Sequence, residues 1–132
     1  MFLAPFEQGG DFRDQAVLGI HRFLERVWKF GEKLGGPKEI SDTKATKKML
    51  HMTIKKVTED IERLHYNTAV SALMILLRTL EDESGTKEDF AVFLKLLAPF
   101  APHLTEELWS EVLEEKTSIH REPWPKYDES LV

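Results

Sequence analysis

The sequence predicts an all-α fold: a five-helix, roughly antiparallel bundle with an extended C-terminal tail. Through most of the chain apolar residues recur every three or four positions, the spacing of one face of an α-helix. Glycines, prolines and an acidic turn separate these segments. A chain of 132 residues has the size of one domain. We therefore predict a single domain over 1–132, with a lead-in at 1–11, the bundle at 12–115 and the tail at 116–132.

The first helix is predicted from Phe12 to about Leu34, after an N-cap at Asp11. Opposite its apolar face stand four cations spaced by four, three and four positions, which places them on one line of the helix surface. Like charges at these spacings repel by a few tenths of a kcal/mol per pair, so a helix selected only for stability would mix signs there. This basic ridge consists of Arg22, Arg26, Lys29 and Lys33.

The second helix is predicted from Thr43 to Leu64, after a stop at Gly35-Gly36-Pro37 and a cap at Ser41 or Asp42. Its apolar positions follow the narrow spacing of bundle helices. They are Leu50, Ile54, Val57, Ile61 and Leu64. Its first half carries a second group of cations, the basic stripe. The stripe consists of Lys44, Lys47, Lys48, His51 and Lys55.

Three further helices follow from capping signals and prolines. Asn67 is predicted to cap a third helix that reaches about Glu83 and is apolar on most sides, which favours the middle of the bundle. Thr86 and Asp89 resemble a capping box that opens a fourth helix. Pro99 should end it by biasing Ala98 away from helical geometry, and Pro102 should open a fifth helix that runs to about Glu115. Trp28 and Trp109 have core spacing.

Composition narrows the function. The formal net charge of −5 means that an RNA partner would require segregated basic residues, as on the ridge and the stripe. Cysteine is absent, which excludes disulfides and thiolate metal sites. No apolar run approaches the roughly 20 residues of a membrane span, and residues 1–6 do not resemble a signal peptide, so a cytoplasmic protein with no membrane partner is expected. His103, Glu106 and Glu107 do not match a His-Glu-x-x-His metal motif.

A resemblance to a known family rests on the bend between the last two helices. The segment Leu97-Ala-Pro-Phe-Ala-Pro-His-Leu-Thr-Glu-Glu-Leu-Trp109 resembles a motif of the helical tRNA-binding (anticodon-binding) domain of the leucine, isoleucine and valine class I aminoacyl-tRNA synthetases. Arg22 to Trp28, His51 to Ala69 and Ser118 to Asp128 are similar to the same domain of the bacterial leucyl enzymes. The stretch from Phe2 to Phe12 also resembles the leucyl enzymes and differs from their isoleucyl and valyl relatives.

The resemblance implies a tRNA-binding domain of a bacterial-type leucyl-tRNA synthetase. Its basic helix faces would dock the body of a leucine tRNA, because leucine tRNAs carry several anticodons and the leucyl enzymes are not thought to rely on reading them. Neither the His-Ile-Gly-His nor the Lys-Met-Ser-Lys-Ser type motif occurs. The chain therefore resembles an excised, non-catalytic fragment without a cofactor. Its parent would be an ATP-dependent leucine-tRNA ligase that uses magnesium, and its partners would be tRNA and the parent's catalytic and C-terminal domains, with no DNA.

Alternatives remain open for each candidate site. The ridge could be an ordinary solvated helix face, and the stripe could be surface decoration, in a bundle that binds a protein partner or acts as a structural spacer. The tail residues His120, Arg121, Trp124 and Tyr127 could stack on an unpaired base, whereas Trp124 between two prolines is more typical of an anchor to the bundle. The acidic fifth helix is not expected to face RNA.

Overall fold

A computed structural model describes residues 10–34, 44–82 and 86–131. These residues form five α-helices and no strand, which confirms the all-α prediction. The helices are α1 (Gly10–Leu34), α2 (Lys44–Glu62), α3 (Tyr66–Asp82), α4 (Lys87–Leu97) and α5 (Pro102–Glu111). The tail is extended apart from two single 3₁₀ turns, at Ile119–Arg121 and Glu129–Leu131. The predicted stop at 35–37 and the cap at 41–42 lie outside the described residues. Of the acidic turn predicted over 81–85, residues 83–85 also lie outside them, whereas Glu81 and Asp82 belong to α3.

The helices pack as an antiparallel bundle. α2 and α3 form a tight hairpin, and α3 packs in turn against α4. α1 contacts α3 and α5. It also lies antiparallel to α4, because the Phe23 ring meets Phe93 with centroids 6.4 Å apart whereas the later Phe30 meets the earlier Phe90 at 5.2 Å. The tail lies along α2, and its last 3₁₀ turn contacts that helix.

One apolar core joins all five helices and the start of the tail. Phe90, Phe93 and Leu108 are completely buried, and Trp109 is almost so, as predicted. Trp28 is half-buried against this core. α3 contributes the largest share of leucines, which fits its predicted central position. Ile119 carries the core into the tail, so the tail packs as part of the domain.

The corner between α2 and α3 differs from the predicted one. Leu64 was expected in the apolar row of α2, but it adopts the left-handed conformation with φ of 61° and its side chain is 69% exposed. α2 therefore ends at Glu62, and the His65 N–H donates back to the Asp60 carbonyl. Asn67 does not cap α3 but lies inside its first turn. The spacing of apolar residues predicts a helix but not the residue at which it ends. The end of α2 depends on how α3 packs against it.

The bend between α4 and α5 largely follows the predicted capping chemistry. Thr86 and Asp89 form a reciprocal capping box, and Pro102 occupies the first turn of α5. Ala98 keeps helical angles (φ −51°, ψ −41°) although Pro99 follows it, so that part of the prediction was wrong. Its N–H still donates to the Leu94 carbonyl and its side chain is nearly buried, and these contacts offset the steric bias. α5 ends at Glu111, before a positive φ at Glu114.

Asp11, predicted as an N-cap, lies within α1, which begins at Gly10. In the part of the chain that the structure describes, no helix combines the length and apolar character needed to span a membrane.

Two glycines of α1 provide a matched test of the packing. A Cβ at Gly31 would approach Leu108 Cδ2 at 3.0 Å and Phe90 Cε2 at 3.3 Å, whereas a Cβ at Gly19 would meet nothing within 4 Å. Gly19→Ala should raise the free energy of unfolding by about 0.5–1 kcal/mol, because alanine is the better helix former. The free energy of unfolding of Gly31→Ala should be lower than that of Gly19→Ala by more than about 1 kcal/mol, because the methyl group at position 31 presses into the core. Urea unfolding measures both, and equal gains would contradict the close contact of α1 with α5.

Candidate nucleic-acid interface

The basic ridge lies on the outer surface of α1. Arg22, Arg26, Lys29 and Lys33 are all exposed, while Phe23, Val27 and Phe30 point into the core. The sequence spacing therefore placed these four cations on one face correctly. Within the described residues, Arg22, Lys29 and Lys33 have no ion-pair partner. Three positive charges thus face solvent without compensation by a paired carboxylate.

Arg26 is the exception on the ridge, because its guanidinium Nη2 donates to Glu81 Oε1 near the end of α3. The arginine side chain remains 46% exposed and the glutamate side chain 32%. The pair ties α1 to α3 at the surface, and an exposed ion pair contributes only about 0–1 kcal/mol to stability. Its main consequence is geometric, since it holds one ridge cation toward α3.

The two flanks of the ridge carry different charges. Glu25 and Glu32 are exposed on the flank that lies away from Arg26, and Glu25 is paired with His21 at 2.7 Å. Helical geometry places both glutamates outside the line of the ridge. The positive surface is therefore bounded by acidic residues on one side and by α3 on the other.

The basic stripe of α2 is partly occupied by the tail of the same chain. His51 Nδ1 accepts a hydrogen bond of 2.9 Å from the Asp128 N–H. Lys55 Nζ lies 3.7 Å from Glu129 Oε2 and 6.0 Å from the centre of the Tyr127 ring. Lys55 is half-buried as a result. Its charge is shared with a carboxylate, which weakens the prediction that it faces RNA.

The other stripe residues lie nearer the start of α2. Lys47 and Lys48 are exposed, whereas the side chain of Lys44 lies outside what the structure describes. Because α2 and α3 form an antiparallel hairpin, this part of α2 lies beside the end of α3, where Glu81 holds Arg26. The exposed lysines of α2 and the middle of the ridge therefore belong to the same end of the bundle.

The tail is anchored by contacts that sequence reasoning missed. Glu106 Oε2 accepts from Ser118 Oγ at 2.8 Å and from the Ile119 N–H at 3.0 Å. The Trp109 indole N–H donates to the Thr117 carbonyl at 3.0 Å. Nothing in the local sequence of Glu106 indicates a partner 12 residues later in the chain. The only sequence signal for this contact is the combination of a carboxylate at 106 and a Ser-x-His segment at 118–120, and it is weak.

Trp124 acts as an anchor rather than as a free stacking platform. Its indole N–H donates to Thr58 Oγ1 of α2 at 2.8 Å, and Pro99 lies beside it in the bend. Tyr127 packs against the core. His120 and Arg121 are exposed, and His120 Nε2 lies 3.6 Å from Glu106. The anchor interpretation is the one that the structure supports.

The final turn of the tail stabilises its own carboxylate. The hydroxyl and then the backbone N–H of Ser130 donate to Asp128, and these bonds lower the pKa of Asp128 below its ordinary value, with a smaller contribution from His51. The charged carboxylate is thus favoured in the folded tail. This contribution is present above the unfolded pKa and is lost as the pH falls through the lower folded value.

No group of three or more metal-ligating side chains occurs among residues 10–34, 44–82 and 86–131. His103 is exposed, and Glu106 is committed to the tail.

The described residues therefore form a helical bundle with an exposed basic ridge on α1, of whose four cations Arg26 is paired with Glu81, and with a tail packed against the bundle. Residues 43–132 match the family described as the anticodon-binding domain of tRNA ligase. The chain belongs to this family. The family resemblance seen in the bend motif is confirmed, and the match covers α2 to α5 and the tail of the domain.

Known relatives of this chain are leucine-tRNA ligases. The domain is 40% identical to a leucine-tRNA ligase of Dehalococcoides mccartyi over 99% of this chain and 17% of that protein. It is 41% identical to that of Borrelia turicatae over 100% of this chain, and 44% identical to that of Alkaliphilus oremlandii over 98%, with 16% of each protein covered. The chain thus spans about one sixth of the length of these relatives.

A solved structure has the same fold. The LeuRS chain in a crystal structure of the ternary LeuRS-tRNA-LeuAMS complex of Agrobacterium radiobacter matches with a TM-score of 0.72 and 28% identity. The match covers 86% of this chain and 17% of that chain. The helical bundle of the domain is therefore shared with a synthetase whose structure contains tRNA.

The anchoring role of Glu106 can be tested against its neighbour. Glu106→Ala should lower the free energy of unfolding by about 1–2 kcal/mol, because the Ser118 hydroxyl and the Ile119 N–H lose a charged acceptor. Glu107 is exposed and its carboxylate makes no such contact, so Glu107→Ala should change stability by less than about 0.5 kcal/mol. Urea unfolding gives both values, and amide exchange at Ile119 should accelerate only in Glu106→Ala. Unchanged exchange there would contradict the anchor.

Proposed function

We propose that this domain binds tRNA for a cytoplasmic leucine-tRNA ligase, and that the basic ridge of α1 is its principal contact with the RNA backbone. The observation that carries the proposal is the exposure of Arg22, Lys29 and Lys33 in one line, with no ion-pair partner among the residues that the structure describes, on a domain of the anticodon-binding family. Phosphate contacts of this kind position an RNA but carry no base sequence. Docking of the tRNA body would present its acceptor end to a catalytic domain.

The assignment to leucine is supported by the relatives. They are leucine-tRNA ligases, and they match nearly the whole length of this chain. The ligase reaction would use ATP and magnesium in the catalytic domain, while this domain would supply binding and orientation. Its protein partners would be the catalytic and C-terminal domains of the same enzyme. Lys47 and Lys48 would add to the positive field near the middle of the ridge, whereas Lys55 would contribute less because the tail engages it.

Charge reversal of the ridge tests the RNA contact. The variant Arg22→Glu, Lys29→Glu, Lys33→Glu leaves the Arg26–Glu81 pair intact, so the surface charge changes without loss of that contact. Its affinity for a leucine tRNA transcript should fall steeply at low salt. The slope of log affinity against log salt should become shallower by about two to three, since about three phosphate contacts are lost. Fluorescence anisotropy at several salt concentrations measures both quantities.

A matched control reverses Arg63, Lys116 and Lys126, which are exposed, lie outside α1 and change the net charge by the same amount. This control should retain most of the affinity. Equal binding by the ridge variant and the unaltered chain would refute the ridge as the contact. If the unaltered chain shows no tRNA binding at low salt, the alternative of a protein-interaction or spacer domain is favoured.

The 132-residue chain should not catalyse the ligase reaction by itself. It contains neither the His-Ile-Gly-His nor the Lys-Met-Ser-Lys-Ser type motif. We expect no leucine-dependent ATP-pyrophosphate exchange from the purified chain. Exchange activity that copurifies with the folded chain and survives a second purification step would contradict the assignment of chemistry to another domain.

A further inference from the structure

Arg78 of α3 is exposed and lies one turn before Glu81, the residue that pairs with Arg26 of the ridge. Most of α3 is apolar, and an isolated arginine in it resembles ordinary surface decoration. Within the described part of the chain Arg78 has no ion-pair partner, including the exposed Asp82 four residues later. Its charge is therefore available to a ligand.

The Arg26–Glu81 pair fixes where α1 meets α3 at the surface. Arg22 precedes Arg26 by four residues, and Arg78 precedes Glu81 by three. Residues at these spacings are neighbours on one helix face, about one turn or 5.4 Å apart. Arg22 and Arg78 each lie one turn before a member of the pair, on the same surface.

The relative direction of the two helices decides whether Arg22 and Arg78 lie at the same level. α1 is antiparallel to α4, as the ring pairs Phe23–Phe93 and Phe30–Phe90 show. α3 is also antiparallel to α4, because only four residues separate the two helices in the chain and they pack together. α1 and α3 are therefore parallel. A step of one turn toward the N-terminus therefore moves in the same direction along both helices. Arg22 and Arg78, each one turn before the ion pair, thus lie at the same level.

The two sides of the ridge differ in their exposed carboxylates, and on the α3 side Asp82 is exposed while Glu81 is paired with Arg26. Glu25 and Glu32 border the opposite flank. Glu81, the carboxylate at the α1/α3 junction, is already engaged by Arg26 and holds that guanidinium toward α3. Thr68 binds Asp60 on the side of α3 that faces α2, so the side with Glu81 and Arg78 is the one turned to α1.

We propose that Arg22, Arg26 and Arg78 form a three-arginine surface across the α1/α3 junction that binds consecutive phosphates of the tRNA backbone. This inference rests on the proposed function and deepens it, because it turns a line of charge on one helix into a surface built by two. Guanidinium groups suit this role, since their planar donors bind phosphate oxygens in pairs. Arg78 would act as a positioning residue for the RNA, with no part in reading bases.

Charge reversal at Arg78 tests the surface, with Arg63 as the matched control. Arg63 is also exposed but lies at the α2/α3 corner, at the far end of α3 from Glu81. Arg78→Glu should weaken binding of a leucine tRNA transcript about five- to tenfold at low salt and make the salt slope shallower by about one. Arg63→Glu should stay within about twofold of the unaltered chain. Circular dichroism checks the fold, and Arg78→Gln replaces the glutamate variant if that variant is unfolded.

The outcomes separate this inference from the proposed function. If Arg78→Glu and Arg78→Gln bind as tightly as the unaltered chain while the ridge variant is weakened, Arg78 is outside the contact and the inference fails alone. If Arg63→Glu is weakened as much as Arg78→Glu, the effect is one of net charge and the three-arginine surface is also wrong. If the ridge variant itself binds normally, the proposed function fails.

Discussion

The aromatic contact between α1 and α4 is the constraint on which the candidate interface depends. Phe23 and Phe30 insert beside Phe93 and Phe90, and these four rings are buried or nearly so. With the inner face of α1 held in this way, the cations at the intervening positions must point to solvent. The same contact sets the direction of α1 relative to α3, and so decides which charges of the two helices are neighbours. The candidate interface is thus a consequence of the core.

The ridge on α1 is positive although the domain as a whole has a negative net charge. Both are possible because the helices place the cations and the carboxylates on different surfaces. The chain is acidic overall, at −5, yet its ridge carries uncompensated cations. Charges separated by more than about 8 Å are largely screened at physiological ionic strength, so a polyanion near the ridge responds mainly to the nearby cations. The acidic residues of α5 and the tail serve other purposes. Glu106 holds Ser118 and Ile119, and Glu129 lies against Lys55.

The tail divides the basic residues of α2 into two groups. Trp124, Tyr127 and Asp128 follow the later part of α2 and engage Thr58, Lys55 and His51. Lys47 and Lys48 remain exposed near the start of the helix. The bend motif that identifies the family therefore acts indirectly, because Pro99 lies beside Trp124 and Glu106 anchors the start of the tail. The motif organises the surface of α2 and lies outside the proposed RNA contact.

The sequence alone was sufficient for the fold class, the number of helices, the capping box at Thr86 and the ridge on α1, because periodicity, caps and prolines act over a few residues. It was also sufficient for the family, through the bend motif. It did not determine the exposed corner at Leu64, the helical Ala98 before Pro99, or the contacts of Glu106 and Trp124. Nor did it indicate the Arg26–Glu81 pair that joins α1 to α3. Each of these depends on residues distant in the chain that only packing brings together, and a local pattern contains no information about that partner.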